Sequence, residues 1–179
     1  MATTPLPLLV EELSPKAFAP YGTVWGRPYG DDKPAFTAPA TDFWHQDFFD
    51  CGDQGKPEVL WVNYRKNDRI VNSLEVHWLT EQAIVPLGSH GVIHIVALTD
   101  ASGPRPDLAT LKAFHIPPGK GISMHTGCWH ATQVADGQVS CLMLTRGSTT
   151  AELVAYLEQG APAIESAMHT LPQTYLLQI

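Results

Sequence analysis

With 179 residues, 44% of them hydrophobic and only 16% charged, the chain has enough apolar content for one core, so a single domain over residues 1–179 is expected. A formal charge of −7, with Lys and Arg scattered apart from the pair Arg65-Lys66, argues against the basic stripe that nucleic-acid phosphates or anionic lipid would need. Three widely spaced cysteines, Cys51, Cys128 and Cys141, without a Cys-x-x-Cys, exclude a zinc ribbon and suit reduced thiols; with no leader pattern in residues 1–10 and no membrane-length apolar window, the expected location is cytoplasmic.

In chain order, Ser14 and Pro15 read as an N-cap and first helical residue of one or two turns, stopped by Pro20 and Gly22. Residues 23–25 read as a short strand. Residues 26–39 are dense in Gly, Pro and Asp and read as a loop, and the aromatic stretch 43–50 as a strand or a lid over a pocket. Residues 59–65 are β-branched and aromatic, a strand. The stretch 74–88 follows, then a turn at 86–91 and a continuous apolar run at 91–98 that suits a buried strand. After the Gly/Pro loop 103–106, Asp107 caps one turn through Leu111. Strands are predicted at 112–116, 122–125 and 139–146. Thr149 to Glu152 reads as a capping box before Leu153, Val154, Tyr156 and Leu157, a helix ended by Gly160 and Pro162. The tail from there to Ile179 is mixed in pattern and takes no firm assignment. Many short strands with Gly/Pro turns and few helices make an all-β barrel or sandwich.

Two clusters carry the chemistry. Glu75 and His77, two apart on a strand, project to one face, and Glu81 and Gln82 follow closely; His125, Cys128, Trp129 and His130 form the second group. Glu75-Val76-His77, then Glu81 and Gly88, resembles the first motif of the cupin barrels with Glu in place of the leading His. Residues 125–130 resemble the second, with His125 where Pro usually stands. That resemblance implies a cupin-like double-stranded β-helix barrel with short peripheral helices, in which the clusters face each other. It also implies a divalent metal held by Glu75, His77, Glu81 (or Gln82) and His130. Nitrogen and oxygen donors suit Ni, Mn, Fe or Zn; no organic cofactor is expected.

A closer resemblance, from about residue 13 to 147, is to the ureidoglycolate lyase family. It is carried by residues 16–22, 74–77, 82–86, 96–98, 106–114, 127–130 and 146–147. The resemblance implies cleavage of (S)-ureidoglycolate to urea and glyoxylate, and a homodimer. Collapse of that hemiaminal needs a base for the carbinol proton, an acid for the departing urea nitrogen and a cation for the carboxylate. His77, His125 and His130 would share the proton transfers, with Glu75 fixing an imidazole tautomer or binding metal. Arg65 or Lys112 would clamp the carboxylate, and Gln82 and Trp129 would contact substrate. Val76, Ala131 and Thr145 depart from the family's usual Arg, His and Asp, which would strip donors from the pocket. Another metal-dependent cupin enzyme, an isomerase or oxygenase, and a non-catalytic binding barrel are the alternatives. His94 and His115 read as hydrogen-bonded barrel residues, His90 and His169 as turn or solvent residues, and His45 as lid or packing; Trp44 and Trp78 read as pocket wall or core, and Cys128 is not expected to be a nucleophile.

Overall fold

Short β-branched and aromatic runs interrupted by Gly, Pro and Asp leave little chain for helix. The computed structural model describes residues 4–26 and 33–179; part of the predicted 26–39 loop lies outside the described residues. The first elements are β1 (Leu6–Glu12), α1 (Pro15–Phe18), β2 (Gly22–Trp25), β3 (Phe36–Ala38), β4 (Thr41–Phe43) and β5 (Pro57–Tyr64). Then come β6 (Ile70–His77), β7 (Gln82–Pro86), β8 (Val92–Ala97), a single 3-10 turn (Leu108–Thr110) and β9 (Lys112–Ile116). The series ends with β10 (Gly121–Met124), β11 (Trp129–Gln133), β12 (Val139–Arg146), α2 (Gly147–Gln159) and β13 (Ser166–Gln178).

Six strands close on themselves in the order β1-β13-β6-β11-β8-β9, and a second, five-stranded sheet runs β2-β10-β7-β12-β5. The expectation of an all-β barrel with few helices holds in this form. The closing strand is β1, which lies parallel to β13 at Leu6↔Tyr175 and to β9 at Val10↔Ala113. No helix among the described residues is long and apolar enough to cross a membrane.

The wall β8-β9-β11 is apolar on both faces. Val92, Val96, Phe114, Ile116 and Val134 pack with Ile84, Ile122, Met124, Cys141 and Met143 of the second sheet. Ile93, Ile95, Ala97, Ala113 and Trp129 instead join Leu8, Leu74, Val76, Leu171 and Leu177 in a separate cluster. All six residues of β8 are therefore buried, which is why its sequence is apolar at every position but His94. Gly22 lets β2 press against β10: a Cβ there would sit 1.9 Å from the Ser123 carbonyl oxygen. Ser14 caps α1 by accepting from the Ala17 N–H at 3.2 Å, and Phe18 meets Phe114 edge-on with centroids 5.4 Å apart.

Three expectations change. Phe36–Ala38, within the predicted 26–39 loop, pairs antiparallel with Thr41–Phe43. The predicted capping box is not formed: α2 starts at Gly147 with Arg146 as an N-cap whose side chain makes no capping hydrogen bond, and Glu152 bonds elsewhere. Gly160, at φ 67°, does end the helix. The unassigned tail is β13, a full stave of the barrel paired to β6 and β1. Parallel closure between chain ends leaves no local signature such as a hairpin turn. Phe114 is fully buried where both sheets meet α1, so Phe114→Ala should cost about 3–5 kcal/mol of unfolding free energy, read from urea denaturation.

Candidate active site

Glu75 and His77 on β6 share a face because they are two apart, and Leu74 and Val76 between and before them point into the other core. Glu75 is the direct cross-strand partner of His130 on β11. One ligand-grade atom from each of Glu75, His77 and His130 lies within 4.8 Å of the others. The rings of His77 and His130 are 5.1 Å apart, edge to face. Glu75 and His77 line a cavity of about 240 Å³ between the barrel wall, the second sheet and α2, together with Tyr64, Gln82, Thr145, Thr149 and the apolar Leu60, Val62 and Met143. A hollow of about 330 Å³ beside His90, His115 and Asp136 holds no comparable donor group among the described residues.

The proton on His130 can be placed by its partners. Nδ1 lies 3.0 Å from the Cys128 carbonyl oxygen, which only accepts, so Nδ1 carries the hydrogen. Nε2 then points at Glu75 Oε1, 3.4 Å away, without a hydrogen-bond partner. In a neutral ring this would set a lone pair against a carboxylate. A second proton or a bound cation relieves the clash, so these three residues fit a divalent metal of the class that takes imidazole and carboxylate ligands. His77 is held at both ring nitrogens, Nδ1 3.0 Å from Ser166 Oγ and Nε2 3.0 Å from the Gln82 amide nitrogen.

Burial, helped by the neighbouring His130 and opposed by Glu75, pulls His77 down to about 4. Burial pushes the Glu75 carboxyl up, but His130 and His77 together outweigh it and leave it below the ordinary carboxylate value. His94 stacks on His130 at 5.7 Å and is bonded to Thr132 Oγ1 (2.9 Å) and Met124 Sδ (2.8 Å). Burial and then the charge of His130 drive it well below the usual imidazole range, and it behaves as the hydrogen-bonded barrel residue its apolar strand suggests. Burial also raises the Tyr64 phenol, with Thr132 opposing and Glu75 adding. The Cys128 thiol is pushed up to about 12 by burial, against the Ala97 carbonyl, and is no nucleophile at neutral pH.

The sequence profile described as ureidoglycolate lyase matches residues 6–159, most of the chain. The chain belongs to the ureidoglycolate lyase family. Similar curated proteins include the ureidoglycolate lyase of Salmonella paratyphi B, 41% identical over 61 residues, and that of Salmonella enteritidis, 39% identical over 61 residues. In both cases the match covers 34% of this chain and 36% of the relative, so it spans about a third of their length. Among solved structures, RmlC from Streptococcus suis in complex with dTDP-D-xylose aligns with a TM-score of 0.39 at 18% identity, covering 50% of this chain and 43% of that one. Streptomyces albus HEPD with 2-hydroxyethylphosphonate and Fe(II) aligns with a TM-score of 0.37 at 18% identity, covering 79% and 27%.

Against the ureidoglycolate lyase pattern, the departures at Val76 and Ala131 turn out not to touch the cavity. Both side chains pack with the cluster inside the barrel, so they strip no donor from the site; only Thr145 faces it. Of the residues singled out by sequence, the structure brings together Glu75, His77, His130 and Gln82. Arg65 is exposed and bonds Gln138 Oε1 at 2.6 Å, Glu81 accepts from the Asp50 N–H and faces His125 at 3.8 Å, and Trp129 is buried against Trp78 at 5.7 Å. In each case the adjacent residue faces the site instead: Tyr64 as the last residue of β5, Gln82 as the first of β7, and His130 because a one-residue step along β11 from Trp129 reverses the face. Lys112 pairs with Glu11, and His125 is half exposed, neither lining the cavity. No residue of the aromatic stretch 43–50 lines it either: β4 ends at Phe43, which stacks on Phe36, and Phe48 is 89% exposed. Tyr64, Thr149 and Ser166 were not singled out as site residues. The inward parity of Leu60, Val62 and Tyr64 offered a signal for the first; Ser166, in the unassigned tail, had none.

His77 has a folded value of about 4 against an ordinary 6.5, so between those values the unfolded chain binds more protons than the folded one. The stability it contributes is complete above pH 6.5 and is lost as pH falls toward 4, and His94 acts in the same direction. The urea midpoint should fall across that window and flatten in His77→Asn; a flat wild-type profile would contradict the assignment.

Proposed function

We propose that the protein is a lyase that splits ureidoglycolate, or a closely related ureido acid, into glyoxylate and urea by acid/base chemistry at His77 and His130. The observation that carries this reading is the Glu75–His77–His130 group, of which Glu75 and His77 line the cavity wall. Family membership supports the same chemistry, and the cavity volume suits a small substrate. His77, kept neutral at pH 7, accepts the carbinol proton while the carbonyl of glyoxylate forms and the C–N bond breaks. The bonding pair goes to the urea nitrogen, which takes a proton from His130, and Glu75 stabilises the imidazolium form of that ring.

The described lining contains neither Lys nor Arg. Hydroxyls of Tyr64, Thr145 and Thr149 and the Gln82 amide therefore supply the polar contacts to the substrate. When a divalent metal is bound, Glu75, His77 and Nε2 of His130 would hold it, and its charge would offset the substrate carboxylate. The partnerless Nε2 favours that cofactor.

Glyoxylate release from ureidoglycolate, measured before and after chelation and beside the metal content of the purified protein, tests both statements. His77→Ala and His130→Ala should each lower kcat/KM by about 10²–10⁴-fold with folding retained. Tyr64→Phe should lose about 10-fold, mainly in KM. Release no faster than spontaneous decay, with every metal supplied, would overturn the substrate assignment.

A further inference from the structure

β13 begins at Ser166, in register opposite His77, and two carboxylates hold that start in place. Glu152 on α2 accepts from the backbone N–H groups of Ile164 (2.6 Å), Glu165 (2.8 Å) and Ser166 (3.1 Å). Glu165 reaches the opposite way, accepting from Ser148 Oγ (3.0 Å) and Thr149 Oγ1 (2.5 Å) and lying 3.6 Å from Arg146 Nε. Each acid thus satisfies donors on the segment that carries the other. The first turn of α2, which has no acidic residue of its own, receives the charge of Glu165 where the helix dipole favours it. Neither carboxylate lines the cavity.

What this clasp delivers to the site is one oxygen. Ser166 Oγ, on a residue 4% exposed, stands 3.0 Å from His77 Nδ1. On the far side of the ring the Gln82 amide nitrogen stands 3.0 Å from Nε2. An amide nitrogen has only hydrogens to offer, so Nε2 accepts, and the ring's single hydrogen sits on Nδ1 and is donated to Ser166.

We propose that Ser166 is a positioning residue for His77, set in place by the Glu152–Glu165 clasp, and that by accepting from Nδ1, with the Gln82 amide donating on the far side, it holds the Nδ1-protonated tautomer, so that Nε2 is the nitrogen that takes a substrate proton or a metal once the Gln82 amide turns away. The kinetic consequence rests on the acid/base reading above; the tautomer does not. Ser166 touches no reacting atom, and its effect passes through the imidazole, as a ligand's or base's outer partner does elsewhere.

Nitrogen-15 NMR of the full chain labelled at histidine, at pH 7.5 and without substrate, reads the tautomer directly. The wild type should show His77 with hydrogen on Nδ1. In Ser166→Ala and the near-isosteric Ser166→Cys the Nδ1–H loses its oxygen acceptor and the Gln82 amide can turn its own oxygen to the ring, so both should show the Nε2–H form or a mixture, and Ser166→Thr should restore the wild-type pattern. Glu152→Gln, which weakens the clasp without altering the Ser166 side chain, should give partial mixing. In turnover assays Ser166→Ala should lose about 10–100-fold in kcat with KM within about 3-fold, and Ser166→Thr should recover most of it. Hydrogen on Nε2 in the wild type, or an unchanged Nδ1–H form in both Ser166→Ala and Ser166→Cys, overturns the proposal. If the tautomer shifts as described but the wild type releases no glyoxylate, the functional reading falls and the positioning role stands. Should Ser166→Ala fail to fold, Ser166→Cys and Glu152→Gln decide by the same spectrum.

Discussion

Glu75 and His130 face each other across the β6–β11 junction, and the site depends on that one cross-strand pair. A carboxylate and an imidazole nitrogen 3.4 Å apart, on a wall covered on both faces, can be tolerated only if a proton or a cation joins them. The Cys128 carbonyl makes the requirement strict, because it commits Nδ1 of His130 to donating and turns Nε2 toward Glu75. His77 completes the group from the neighbouring position on the same strand face, and His94 backs it as a buried, neutral ring.

The wall works because it is filled from both sides. One face of β8, β9 and β11 packs on the second sheet, the other on the cluster containing Leu74, Val76 and Trp129. Apolar neighbours before and after each polar site residue leave that residue little freedom, since a slip of one position would bury Glu75 or His130 in the barrel's inner cluster. The β6–β11 wall therefore holds Glu75, His77 and His130 in fixed directions. The α2 side of the cavity is different in kind: only Thr149 of that helix is buried, and hydrogen bonds to two carboxylates do the holding that apolar packing does elsewhere.

The cavity lining also bears on what the family chemistry requires here. Where the usual family pattern has an acid, this chain has Thr145, and the described lining residues carry hydroxyls, one amide, one imidazole and one carboxylate without a fixed cation. A small anion in such a space leans on neutral donors and on whatever charge the Glu75–His77–His130 group carries. Substitutions at Val76 and Ala131, by contrast, belong to packing inside the barrel.

Local chemistry determined much of this in advance. The strands at Lys112–Ile116 and Val139–Arg146 coincide with their predicted limits, the Ser14 and Asp107 caps form as their residue types require, and the two-residue spacing of Glu75 and His77 put them on one face. The tertiary structure decided the rest. Whether Tyr64 or Arg65 and Gln82 or Glu81 faces the cavity, and whether His130 or Trp129 faces Glu75, depends on register, and the closing of the barrel by β1 and β13 joins residues from opposite ends of the chain. Alternation along a strand is a local property of the backbone and can be read from neighbours in sequence. Which of the two faces is inward follows from partners far away in the chain, and so it appears only when the sheets have closed and packed.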